Sequence, residues 1–236
     1  MTSEVPVDAS CGSASPNCGT GSCAACSAVA GTFPPAETAV LGDAYAVISE
    51  LWCRPVESTA EQEAIRNAAA RVAERLGGLE PRAGLALARF LEASPLTEED
   101  YIDLFELQPK CSLYLGSHTY DEPETCAGAG VSDRNEYMIE LVGIYRHFGH
   151  MLDGSELPDY LPLMCESLSL TSEYRGDPIR TKLIQEYILP FLGPIRGRLQ
   201  ELATPHRHLM EAFEGLMALD VGAPPQPERS EECTGG

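Results

Sequence analysis

Apolar residues recur at intervals of three and four from residue 37 to about residue 219, and nowhere convincingly at intervals of two. Residues 37–53 place Val40, Leu41, Ala44, Tyr45, Ile48, Leu51 and Trp52 on one face, with Pro55 to stop the helix they predict. A second helix opens on Ser58 as N-cap with Glu61 three residues on, turns Ile65, Ala68, Val72 and Leu76 inward, and ends at Gly77 and Gly78. Pro81 suits the first turn of a third helix holding Leu85, Leu87, Phe90 and Leu91, and Thr97 caps a fourth. Residues 108–130 lose the period and gather Pro, Gly and acids, which predicts a long loop. Ser132 then caps the longest amphipath, where Met138, Leu141, Val142, Tyr145, Phe148 and Leu152 repeat before Gly154 closes it. Three more helical segments follow, over 161–170, from about 178 with a bend at Pro190 or Pro194, and over 206–219.

About eight helices with no strand and no repeat period predict an all-α, single bundle-like domain over residues 36–220. It stands between a flexible Cys/Ser/Gly-rich tail, residues 1–35, and a disordered tail, residues 221–236. The chain of 236 residues, 44% of them apolar, is long enough for a proper core.

Charge narrows the partners. Sixteen Lys and Arg against thirty-six Asp and Glu give a formal net charge of −20, which repels phosphate backbones and anionic membranes, so neither nucleic acid nor membrane is expected. Only Lys110 and Lys182 are lysines, so the positive charge is almost all guanidinium, suited to fixed ion pairs. No run approaches the roughly 20 apolar residues of a membrane span, and the N-terminal stretch has Glu4 and Asp8 but no cation before Arg54. A cytoplasmic monomer is the expectation, with the nine cysteines as thiols or metal thiolates.

Catalytic patterns are absent: no Gly-rich phosphate cradle, no G-x-S-x-G, no H-E-x-x-H. His147 and His150, three apart, could share a metal, but they and His206 and His208 read as ordinary half-buried or surface histidines. Asp100 with Asp103, and Glu98 with Glu99, stand in the first turns of a helix, where the macrodipole explains them. Cys11, Cys18, Cys23 and Cys26 could supply four thiolates to a metal, but no apolar residue between them packs a small core. The chain is therefore expected to be no enzyme and to need no cofactor, with a metal-binding or redox-sensing helical protein using those cysteines as the alternative.

One joint stands out. "ELPDYLPLMCESLSL", residues 156–170, spends two prolines, an aspartate and a tyrosine between two helices. Pro158 removes a donor and fixes φ, Asp159 can cap the helix beginning near Leu161, and Pro162 is tolerated in its first turn. Glu156 and Tyr160 would then project from a rigid corner beside Tyr145 and Phe148, an apolar floor with an acidic rim suited to an amphipathic helical peptide with a basic end. Residues 97–140 carry eleven acids against Lys110 and Arg134, whereas residues 178–211 carry five Lys or Arg against three Glu, so the acidic excess lies on the half that holds the joint.

The succession "EEDYIDLFEL", "SLYLGSHTYDEP", "YRHFGHML" and "ELPDYLPLMCESLSL" resembles the molybdoenzyme maturation chaperones, the redox-enzyme chaperones of the nitrate reductase and trimethylamine oxide reductase systems. The layout is similar over residues 40–215 and the motifs over about 99–170. The family often has His where Tyr160 stands and Leu-Glu where Cys165-Glu166 stands. The loop form is closest to the nitrate reductase branch, and within it to chaperones encoded with periplasmic type II molybdenum enzymes. The resemblance implies an all-α chaperone that binds the apo catalytic subunit of a molybdenum enzyme, alone or through its twin-arginine leader, assists cofactor insertion before export and stays out of the mature enzyme. It also implies client contacts at the motif positions Tyr101, Phe105, Tyr114, His118, Tyr145, Glu156, Pro158, Asp159 and Tyr160.

Overall fold

The computed structural model describes residues 33–120 and 132–222. They form an all-α domain with no strand among the described residues; Tyr114 and Tyr160 make one isolated antiparallel bridge. The Cys11, Cys18, Cys23 and Cys26 cluster and both expected tails fall, but for a few residues at their inner ends, outside the described residues.

Helix α1, Pro35–Trp52, is central because its apolar face runs almost its whole length: Leu41, Ala44, Tyr45, Ile48 and Trp52 are all buried. It packs against α2, Thr59–Gly77, against α6, Leu161–Leu170, and against the C-terminal helix α9, His206–Asp220. Helix α3, Pro81–Glu92, fits between α2 and α9 because small residues let the backbones approach. A Cβ on Gly84 would stand 2.5 Å from Gly77 Cα, and one on Gly215 would stand 2.9 Å from Ala83 Cβ. Either added methyl would push two helices apart. Helix α4, Glu98–Phe105, begins where Thr97 Oγ1 accepts the Asp100 N–H at 3.1 Å. Ser58 and Ser132 act in the same way at the starts of α2 and of α5, Asp133–His147.

The expected bend at Pro190 has a defined form. The short α7, Pro178–Lys182, runs into a π-helical turn, Leu183–Ile188, and a 3-10 turn, Leu189–Phe191, before α8, Leu192–Glu201. Pro190 cannot donate to the preceding turn, and the wider turn spreads that loss over several residues.

Four features differ from the sequence pattern. Residues 108–120 are not a plain loop: Cys111, Leu113 and Leu115 are buried, and Leu115–His118 is a 3-10 turn. Helix α5 ends at His147 rather than at Gly154, with Gly149 at φ 81° supplying the left-handed turn after it. Leu85 is exposed, so the third helix turns Ala83, Ala86, Leu87 and Phe90 inward instead. The buried charge network was not anticipated at all. Arg180, 1% exposed, donates Nη2 to Asp220 Oδ2 at 2.6 Å and also bonds Thr171; Tyr45 gives its hydroxyl to the same carboxylate oxygen at 3.0 Å. Arg175 bonds Glu37 and the carbonyls of Leu219 and Asp220, and stacks on Phe33 at 3.8 Å. These groups pin the end of α9 to the starts of α1 and α7. Removing either member of such a pair leaves an uncompensated buried charge.

Candidate functional site

The joint after α5 is built from short-range turns and clamped by partners far away in sequence. Asp153 Oδ1 accepts the Ser155 N–H at 2.8 Å, and the Tyr160 N–H bonds the Leu157 carbonyl at 3.1 Å. Residues 113–116 then run antiparallel alongside it. The Leu115 N–H bonds Asp159 O at 3.0 Å, and the Leu161 N–H bonds Leu113 O at 2.9 Å. From the other side Tyr145 donates its hydroxyl to Pro158 O at 2.7 Å.

Asp159 does not cap α6; Tyr160 stands at the N-cap position and makes no side-chain cap bond. The Asp159 carboxylate is fully buried, accepts the Gly116 N–H at 2.9 Å through Oδ2, and has Arg134 Nη2 at 3.8 Å. Burial raises its pKa above the ordinary carboxylate value, against the opposing pull of the Gly116 N–H and the Arg134 guanidinium. A Cβ on Gly116 would meet Oδ2 at 2.9 Å, so residue 116 is held to glycine by this contact. Asp159 is thus a structural tie between two segments.

Beside the joint lies a cleft of about 500 Å³ between the end of α1, the turn after α5 and α6. Tyr145, Leu152, Tyr160, Pro162, Leu163 and Leu170 line its apolar part, and Asp153, Glu156 and Glu166 its acidic part. Met151, 86% exposed, and Leu170 offer large apolar surface to solvent there. Glu156 is half-buried rather than free on a rim, and accepts the Tyr114 hydroxyl at 2.6 Å. Tyr114 in turn packs on the Tyr160 ring at 5.1 Å. Burial and the bond to Glu156 raise the Tyr114 pKa, while burial lifts that of Tyr160 to about 12, so both tyrosines are neutral hydroxyls at working pH.

The nine expected client residues therefore divide. Glu156, Pro158, Tyr160 and Tyr114 gather at the joint and are partly accessible. His118 is also partly accessible but lies away from them, on a wide shallow recess with Lys110 and Arg198, its ring nitrogen on Ser112 O at 2.8 Å. Tyr101, Phe105, Tyr145 and Asp159 are buried in the core, where Tyr101 donates to Trp52 O at 2.8 Å and packs on Phe105, although Tyr145 also forms part of the cleft floor. Among the cleft residues that escaped the sequence reading, Cys53, Met151 and Leu170 sit at or beyond helix ends, and only α1, α6 and the turn together bring them to one surface.

His206, read as bland, is 4% exposed and packed among Trp52, Phe90 and Phe105 at ring separations of 5.3, 5.2 and 5.0 Å. Burial lowers its pKa to about 4, so it is neutral at physiological pH. His147 faces Asp177 at 3.5 Å. Among the described residues no three His, Cys, Asp or Glu side chains are grouped to hold a metal, and no helix is long and apolar enough to cross a membrane.

No family model matches the chain. Among curated proteins it is 31% identical over 122 residues to the "Probable nitrate reductase molybdenum cofactor assembly chaperone NarW" of Escherichia coli K12, covering 51% of this chain and 47% of that protein. It is 27% identical over 129 residues to the "Nitrate reductase molybdenum cofactor assembly chaperone NarJ" of the same strain, covering 54% and 49%. The chain spans about half the length of the curated relatives it matches.

Proposed function

We propose that this chain, a relative of the nitrate reductase molybdenum cofactor assembly chaperones, is itself a maturation chaperone for a molybdenum oxidoreductase. It binds the apo catalytic subunit, keeps it open for cofactor insertion and releases it, taking no part in the finished enzyme. It acts in the cytoplasm as a monomer, and the client is a periplasmic type II enzyme whose leader or basic N-terminal segment is the part held.

The observation that carries this reading is the cleft beside the joint. Its apolar floor and its carboxylates Asp153, Glu156 and Glu166 suit a segment that is apolar on one side and cationic on another. The joint's backbone is tied by Asp159 and Tyr145, so the cleft is preorganised and spends little ordering entropy on binding. An affinity of about micromolar, roughly −8 kcal/mol, is compatible with release.

Deleting the gene in the native host and measuring molybdenum per catalytic subunit of the host's molybdoenzymes tests the function. One enzyme should lose most of its molybdenum while its polypeptide is still made. Full molybdenum occupancy in every molybdoenzyme of the deletion strain would contradict the proposal.

A further inference from the structure

Two recesses meet at the C-terminal end of α1. One is the cleft already described. The other, of about 80 Å³, lies between the end of α1, α2 and the residues following α3, where Leu51, Val56, Ile65, Phe90 and Leu96 give it an apolar lining. Cofactor and drug-sized ligands occupy roughly 300–1,000 Å³. A recess this small matches one branched aliphatic side chain.

The two recesses share a wall. Cys53 lines both, Tyr101 lines the small one and Tyr160 lines the cleft. Carboxylates surround that wall: Glu50 at the small recess, Glu156 and Glu166 in the cleft. After burial, these three are what raise the Cys53 pKa, to about 11. Glu50 and Glu166 have no ion-pair partner among the described residues. The cations near the small recess are committed elsewhere: Arg54 pairs with Glu98 and Glu106, and Arg66 donates to the Leu91 and Ala93 carbonyls. The uncommitted charge at the shared wall is therefore negative.

We propose that the small recess is an anchor pocket for one Leu, Ile or Val side chain of the segment held in the cleft, and that this side chain neighbours an Arg or Lys held at the Cys53 wall by Glu50, Glu156 and Glu166. The inference rests on the cleft being the client site. It adds a selection rule: a cation and a branched aliphatic residue within one helical turn of each other.

The probe is a set of peptides of about 20 residues tiled along the catalytic subunits of the host's molybdoenzymes, titrated against the full chain by fluorescence anisotropy. Val56→Phe and Ile65→Phe fill the recess from two different elements, and Glu156→Gln and Glu166→Gln neutralise the cleft side. The best-binding peptide should carry the cation and aliphatic pair. Each filling variant should weaken it about tenfold, the effect of expelling one buried aliphatic side chain. Alanine in place of the peptide's aliphatic residue should weaken binding to the unsubstituted chain but add nothing in the filled variants. At saturation the intact peptide should slow alkylation of Cys53, read by mass spectrometry, more than the alanine peptide does, because both place a cation at the Cys53 wall but only the intact one also fills the recess; equal protection by the two would overturn the anchor pocket, and this readout decides the matter if both filling variants melt early. Peptide binding that depends on Glu156 and Glu166 but is unchanged in both filling variants overturns the anchor pocket and leaves the cleft reading intact. Absence of any peptide whose binding depends on those carboxylates removes the cleft reading, and the anchor pocket with it.

Discussion

Acidifying the protein from about pH 7.5 to about pH 5 should remove about 2 kcal/mol of stability through His206 alone. The imidazole is buried among Trp52, Phe90 and Phe105, with Thr204 Oγ1 at 3.3 Å from Nδ1. Burial disfavours its charged form and lowers its pKa from 6.5 to about 4 in the folded state. The unfolded chain binds the proton first, so the contribution is complete above the unfolded value and is lost as pH falls from there toward the folded one. Full traversal would cost about 3 kcal/mol at roughly 1.4 kcal/mol per pH unit. Stopping near pH 5 samples about two-thirds of that and stays clear of the sequence pI of about 4.5, where the chain loses its net charge and its solubility. Urea unfolding of the full chain and of His206→Phe across this range is the assay, with the difference between their pH slopes as the readout, because the many carboxylates titrate in both. Phe suits the aromatic surroundings and cannot titrate. Equal slopes in the two proteins would show that His206 keeps an ordinary pKa and that the depth of this core at the α1, α3, α4 and α9 junction is misjudged.

Glu156→Gln should leave the melting temperature nearly unchanged, because the amide oxygen can still accept the Tyr114 hydroxyl, while weakening a basic client segment severalfold at low salt; an unchanged affinity would take Glu156 out of the site. Asp159→Ala should cost about 1–3 kcal/mol by leaving the buried Gly116 N–H without an acceptor, and Asp159→Asn should cost less because its amide oxygen keeps that bond. Since the folded pKa of Asp159 is raised above 3.8, its contribution falls as pH rises from that value through the folded one, and the Asn variant should lack this fall in chemical denaturation. Arg180→Met should destabilise by about 3 kcal/mol, the low end for breaking a buried ion pair, because Asp220 keeps the Tyr45 hydroxyl and Arg175 Nε at 3.8 Å, whereas Arg180→Met with Asp220→Leu should recover part of the loss, as measured by a denaturation double-mutant cycle.

Helix existence was legible because period, caps and stop signals are local. Ser58, Thr97 and Ser132 act within three residues of themselves, and Pro190 disrupts its own preceding turn. Asp159 was misread as a cap because its real partner, Gly116, lies 43 residues away on a segment with no helical period. Arg180 and Asp220, 40 residues apart, carry no mark in the sequence that distinguishes them from surface charges. His206 follows a proline at a helix start, a position that reads as exposed; only the packing of three aromatic rings from other elements shows otherwise. The motif residues Tyr101, Phe105 and Tyr145 point inward for the same reason, since a motif reports where residues stand in the chain and not which way they face. The joint itself was legible as rigid, and its role as one wall of a cleft needed α1 to be placed beside it.

The central claim is that the chain holds a molybdoenzyme catalytic subunit before its cofactor is in place. The most direct measurement is gentle, anaerobic purification of the full tagged chain from its native host, with mass spectrometry of the bound polypeptide and metal analysis of the complex. The expected result is one molybdoenzyme catalytic subunit in about equal amount to the chain, carrying far less molybdenum than the mature enzyme. Recovery of the chain alone, or with a subunit already carrying its full molybdenum complement, would contradict it.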